Sequence, residues 1–236
     1  MKRMHKAVGV ALSGLVVASS MTMAVAPAQA YDREAAGYAA SHFLSVSQLP
    51  KEFAAKKAMN ISVTTPALKQ YVCDYGPLGN KIVWAGKPDL STNAFYNPKG
   101  KGLSLDINVG QYKSNVAAEK AFSQLSKDIK KCDGTFTGSW SDENDNPVPY
   151  ENVITSGKIP AVTVTGVQSI FTNENSNNAA SGDLPAYLND SMSIFTLVND
   201  VIITTTGSTG SALNFTAKQK KALIQVANDM VTTWVD

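Results

Sequence analysis

Acid–base and nucleophilic chemistry need side chains that trade protons near neutral pH, and this chain carries few of them. Of its two histidines, His5 lies in a leader segment, which leaves His42 as the one imidazole that could take a proton from a serine. His42 sits in an alanine- and serine-rich stretch, and the sequence contains no G-x-S-x-G elbow, no S-x-x-K pair and no phosphate-binding P-loop. It therefore reads as a packed or surface histidine. Asp142, Asn144 and Asn146 take the first, third and fifth places of a calcium loop, but Pro147 replaces the turn glycine and Val153 the closing glutamate. A polar turn is the simpler reading. Asp142 and Glu143 could share acid and base roles, yet no neighbouring residue pattern would split their pKa values. No cofactor or metal is called for.

Aromatic rings offer a different chemistry, that of binding. Tyr71, Tyr75, Trp84, Tyr96, Tyr112 and Trp140 fall on either side of an alternating segment at 103–109. In a sheet protein such rings pack in the core or across strands. Alternatively Trp84, Tyr96, Tyr112 and Trp140 line a small-molecule cleft.

The elements that must position these residues follow from periodicity. Residues 1–30 have the order of an export signal: basic Lys2, Arg3 and Lys6, an apolar run over 8–17, and Ala28-Gln29-Ala30 as a cleavage site. The apolar run is too short and too broken by serine and glycine for a spanning helix, and no cysteine follows it to take a lipid. The expected product is one domain, 31–236, released from the cell rather than tethered. The chain has 21 Lys+Arg against 19 Asp+Glu, and three of the basic residues belong to the leader. The remainder is close to neutral, which speaks against nucleic acid or an anionic membrane surface as partner.

Cys73 and Cys132 are the two cysteines. In an oxidising compartment they are expected to pair, closing a long loop and stabilising the fold by roughly 4 kcal/mol. A metal site or a catalytic thiol would need further ligands or a base that the sequence does not supply.

Residues 31–49 suggest one N-terminal helix, and 60–97 short strands and turns. At 103–109 apolar and polar residues alternate without exception, the pattern of a strand with one buried and one wet face. A helix is expected over 115–131, with Ala118, Phe122, Leu125 and Ile129 on one stripe and lysines at its C-terminal end. Strands are expected over 134–140, 152–156 and 161–171, with polar loops at 141–149 and 173–185. A hairpin over 192–198 and 201–206 turns at Asn199-Asp200, a pair suited to positive φ. Thr216 and Gln219 are spaced as a capping box for a closing helix bearing Leu223, Ala227, Met230 and Trp234 on one face. The order implies an α+β fold, a twisted antiparallel β-sheet flanked by α-helices.

With Leu49-Pro50 after the first helix, Cys73 before the strand block, a helix from Ala118 ending at Cys132, a hairpin over 194–205 and a closing helix over 216–234, the chain resembles the PknH-like extracellular sensor domains of exported actinobacterial proteins. The resemblance spans the mature chain. It implies a cleft between sheet and helices that receives an extracellular ligand, no catalytic activity, and Cys73–Cys132 as the family's first disulfide. The family's second disulfide has no counterpart here. The resulting expectation is a secreted, non-catalytic module binding a small, partly apolar ligand. The alternative is an envelope protein-interaction factor using the loops at 141–149 and 173–185 as contact surfaces.

Overall fold

The computed structural model describes residues 41–64, 71–73, 82–83, 88–98, 103–142, 144–158, 167–178, 187–210 and 214–235, and among them the alternating and helical periodicities resolve into ten strands and two long α-helices. These all fall in one compact unit, Ala39–Asp236. The leader at 1–30 lies outside the described residues.

The strands are β1 (Ala55–Thr64), β2 (Tyr71–Cys73), β3 (Ile82–Val83), β4 (Leu90–Pro98), β5 (Ser104–Gln111), β6 (Gly134–Ser141), β7 (Pro147–Lys158), β8 (Gln168–Asn178), β9 (Tyr187–Val198) and β10 (Val201–Ser208). The helices are α1 (Asn115–Ile129) and α2 (Ala217–Val235). Eight strands form one sheet in the order β1-β4-β5-β10-β9-β8-β7-β6, with β2 and β3 as a separate hairpin. Every pairing is antiparallel, and the architecture is α+β as the sequence implies.

The two helices cover opposite faces. Along β10, Val201 and Ile203 belong to the apolar cluster under α2, whereas Ile202 between them belongs to the cluster under α1. Successive side chains of a strand point to opposite sides, so the sheet separates the two clusters. In α1 the expected stripe of Ala118, Phe122, Leu125 and Ile129 is buried, and Ser114 caps the helix by accepting the Ala117 amide at 3.2 Å. In α2 the capping box forms: the Thr216 amide donates to Gln219 Oε1 at 2.8 Å and the Gln219 amide to Thr216 Oγ1 at 3.2 Å. Leu223, Ala227, Met230 and Trp234 are buried. Gly207 lets α2 approach, since a Cβ there would sit 3.0 Å from Phe215 Cζ and 3.2 Å from Leu223 Cδ1.

Several segments depart from expectation. Of the helix expected over 31–49, residues 31–40 lie outside the described residues, and from His42 to Leu49 the chain is not α-helical but turns at His42 and makes a 3-10 turn at Val46–Gln48. Within 60–97, β4 is a long strand, and β1 begins before that window, since both pair along most of their length. Of the loop at 141–149, Pro147 to Pro149 already belong to β7. The loop at 173–185 is a strand as far as Asn178, held by ladders to β7 and β9 on both sides. The hairpin is as read, with Val198 opposite Val201, but of the two turn residues only Asn199 has a positive φ, 50°.

Candidate functional site

Directly opposed residues of antiparallel strands share a face, so register decides which side chains meet. On the α1 face, Asn93 lies across from Asn108 and Asn108 from Thr204. The next row runs Phe95, Asp106, Thr206, Ser193, Thr172, and the one after it Ser104, Ser208, Ser191, Glu174. These residues are all half-buried. The same strands present Leu105, Ile107, Val109, Ile194 and Ile203 to the opposite side, where they are buried under α2. Local sequence builds this directly: a Ser-x-Asp-x-Asn alternation in β5 and a Thr-x-Thr-x-Ser alternation in β10 place every second residue on the polar side.

The polar rows end where α1 begins. Ile202, Leu197, Phe195 and Ile154 carry the helix, and register sets Phe195 beside Thr204 and Ile154 beside Glu174. The helix thus forms one wall of a polar field. The β2–β3 hairpin lies on the same side, with β2 packed on α1.

Inside the field the groups are linked in pairs. Asn93 Nδ2 donates to Asp106 Oδ1, Asn108 Nδ2 to Ser91 Oγ at 3.2 Å and Ser176 Oγ to Glu174 Oε1 at 3.1 Å. Ser193 and Thr206 share a hydrogen bond of 2.9 Å, Ser104 and Ser208 one of 3.1 Å. The Thr204 hydroxyl oxygen is buried and has no partner. Burial raises the Asp106 carboxyl above its ordinary value, and the bond from Asn93 works against that rise. Asp106 and Glu174 are the charged groups of these rows, and three strand spacings put them roughly 14 Å apart. Such a field can offer many paired donors and acceptors to a bound molecule. Among the described residues no group of three or more His, Cys, Asp or Glu could hold a metal ion.

The aromatic residues expected at a cleft are distributed otherwise. Tyr96 is fully buried in the α2-side cluster. Its hydroxyl donates to the Leu44 carbonyl at 2.7 Å, and burial pushes its pKa up to about 12. Tyr112 is buried in the α1-side cluster, and burial together with the Asp89 charge raises its pKa. The sheet stands between these two rings, so both are core residues of separate clusters and cannot line one cleft. Trp84 lies outside the described residues. Trp140 pairs with Val148 through its backbone in β6, and its side chain is likewise outside them.

Other singled-out residues have structural roles. The His42 ring lies 4.7 Å from that of Trp234, and its carbonyl accepts from Thr233 at 2.7 Å, fastening the segment before β1 to α2. Asp142 is a turn residue: its Oδ1 accepts the Asn144 and Asn146 amides, each at 2.9 Å. Cys132 is buried in the 3-10 turn Lys130–Cys132 that ends α1 and is not a free thiol. Cys73 ends β2, the strand packed on α1, with its side chain outside the described residues.

A constellation that sequence reasoning missed is centred on Asp190, a buried carboxylate. Its Oδ1 accepts from Asn173 Nδ2 at 3.1 Å and its Oδ2 from the Phe215 amide at 3.0 Å. It ties β8, β9 and the entry to α2 together. The polar field itself was also missed, although the wet side of the 103–109 alternation, Ser104, Asp106 and Asn108, was its signal.

No family model matches the chain, and no curated protein sequence does either. Among solved structures, the chain is similar to the extracellular domain of PknH from Mycobacterium tuberculosis. The match has a TM-score of 0.50 and 8% sequence identity, and covers 82% of this chain and 94% of that one. At that identity the likeness is one of fold. Among the described residues no helix is long and apolar enough to cross a membrane.

Proposed function

We propose that this protein is an exported, non-catalytic binding module of the sensor-domain type, which takes a small ligand onto the polar field beside α1. The observation that carries this reading is the contrast within β5, β9 and β10. Their α2-side residues are sealed almost throughout, whereas their α1-side residues beyond the footprint of α1 are half-buried hydroxyls, amides and a carboxylate. A sheet needs no such array for stability, since burying polar groups costs free energy unless each is paired. The fold likeness to an extracellular domain supports the same reading, as does the order of basic, apolar and A-x-A residues at 1–30, the pattern of an export signal. A partly apolar ligand would rest its apolar side on Phe95 or on the helix wall.

A bridge between Cys73 and Cys132 belongs to this proposal. It would join the β2–β3 hairpin to the end of α1 and fix one side of the field. Intact mass should lie two hydrogens below that of the reduced chain, and an unchanged mass on reduction would remove the bridge. The protein-interaction alternative is less favoured, because much of the surface it needs at 147–149 and 173–178 is strand.

The direct test is a thermal-shift screen of the exported protein against envelope lipids, sugars and aromatic metabolites. A ligand bound only by the folded state adds about 2.7 kcal/mol at a hundredfold excess over its dissociation constant. At least one saturable hit is expected, abolished by Thr206→Val but not by substitution at exposed Thr137 on the edge strand β6. A hit indifferent to Thr206→Val would place binding elsewhere.

A further inference from the structure

We infer that the ligand of this field is a neutral, polyhydroxylated ring, a saccharide, held by Asp106, Asn93, Asn108, Thr204 and Thr206 and resting against Phe95. The inference rests on the binding reading above and narrows it to a chemical class.

The two carboxylates weigh against one large class of ligand. Among the described residues, the rows as far as Thr204, Thr172 and Glu174 carry two carboxylates, Asp106 and Glu174, and the nearest lysine in register, Lys158, is exposed and stands three strands from Thr204, beyond Phe195 and Ile170. Phosphates, sulfates and carboxylated ligands would meet repulsion in a half-buried setting, where charge is poorly screened. Neutral and cationic ligands remain.

Donor and acceptor types separate these two. An ammonium group only donates, so it would use the carboxylates and leave the amide and hydroxyl donors idle. Asp106 and Glu174 stand three strands apart and cannot close on one ammonium together. A sugar hydroxyl both donates and accepts, as do the side chains that dominate the rows. Asn93 and Asp106 are hydrogen-bonded to each other and so present a fixed amide beside a carboxylate. That juxtaposition offers a donor and an acceptor to two adjacent hydroxyls of one ring. Thr204, whose buried hydroxyl oxygen lacks a partner, and Asn108 extend the set along the next row.

The aromatic neighbour completes the match. Phe95 lies directly across from Asp106 and is half-buried on that face. A pyranose has hydroxyls at its rim and C–H groups on its faces, so it can satisfy the polar row with its edge while an apolar face covers the phenyl ring. A linear polyamine or a fatty chain uses only one of these two features.

The test is a two-dimensional amide NMR titration of the exported chain with methyl α-D-glucoside, methyl α-D-mannoside and methyl β-D-galactoside, with ethanolamine and glucuronate as charged probes. At least one neutral glycoside should cause saturable shifts at the amides of Asp106, Thr204 and Thr206. Asp106→Ala should weaken that glycoside about tenfold or more, the loss expected for hydrogen bonds to a charged group. Thr206→Val serves as a second variant should the first misfold, with amide dispersion reporting the fold in each. Shifts at these amides from ethanolamine but from no glycoside would overturn the saccharide assignment and leave the binding field standing. Preference for glucuronate over the neutral sugars would overturn the charge reasoning. If no probe moves these amides, the saccharide inference falls, and a negative ligand screen alongside would take the binding reading with it.

Discussion

The two faces of β5, β9 and β10 are made by the same backbone yet differ in almost every chemical respect. Leu105, Ile107, Ile194 and Ile203 on one side are sealed beneath α2, while Asp106, Asn108, Ser193 and Thr206 on the other remain half-buried. Both sides are covered by a helix in part, so cover alone does not explain the difference. The α2 side is filled by apolar volume, which makes the fold stable. The α1 side spends its central area on hydrogen-bonding groups that a stable core would replace. One sheet thus divides apolar packing from polar display by residue parity.

Substitutions matched across the two faces should break or sharpen that division. The largest effect belongs to the sealed face: Leu105→Ala, at a fully buried site, should cost about 3–4 kcal/mol in urea unfolding. A loss under about 1 kcal/mol would mean that the α2 side is not the stabilising one. Next comes Asp190→Ala, which strands the Phe215 amide and the Asn173 side chain and should cost about 2–3 kcal/mol. On the polar face Thr206→Ala removes one half-buried hydroxyl bond and should cost only about 0.5–1 kcal/mol. Equal losses from Leu105→Ala and Thr206→Ala would erase the distinction between the faces.

The smallest effect should have the opposite sign. Burial raises the Asp106 pKa in the folded state, so its neutral form is the one the fold favours. Its contribution to stability is therefore present at low pH and lost as pH rises through the folded value. Asp106→Asn should match or slightly exceed the parent in stability at neutral pH, with the advantage vanishing in acid. Parallel stability profiles from acid to neutral pH would show that the carboxylate carries no such penalty. A destabilising Asp106→Asn would assign the residue to structure rather than to binding.

Much of the fold could be read from sequence because periodicity and capping act locally. The alternation ending at Val109, the stripe from Ala118 to Ile129, the turn at Asn199 and the box at Thr216 are all present in the structure. The polar strand at 173–178 was not readable, because Asn173, Glu174 and Asn177 have low strand propensity. Their conformation comes from ladders to β7 and β9, a tertiary effect. The grouping of Tyr96 with Tyr112 was misread for a related reason. Tyr96 and Tyr112 are near the key strand in sequence, but which face a ring takes depends on register. Register sets Tyr96 across from Leu105, on the sealed side. Asp106, one position away, falls on the open one.

The strand order also governs how the chain can find this structure. From β6 to β10 each strand pairs with the next in sequence, and β4 with β5, whereas only the β1–β4 and β5–β10 pairings span intervening elements within the large sheet. Two locally wired pieces thus meet along a single seam, from Ser104 opposite Ser208 to Gln111 opposite Val201. Closing that seam requires ordering the long stretch between β5 and β10, the kind of step that slows folding. Mutations within the seam are expected to slow refolding, and those in β6 to leave its rate nearly unchanged, an ordering that stopped-flow kinetics can check. The polar field straddles the seam, so it comes into existence only when the two pieces join.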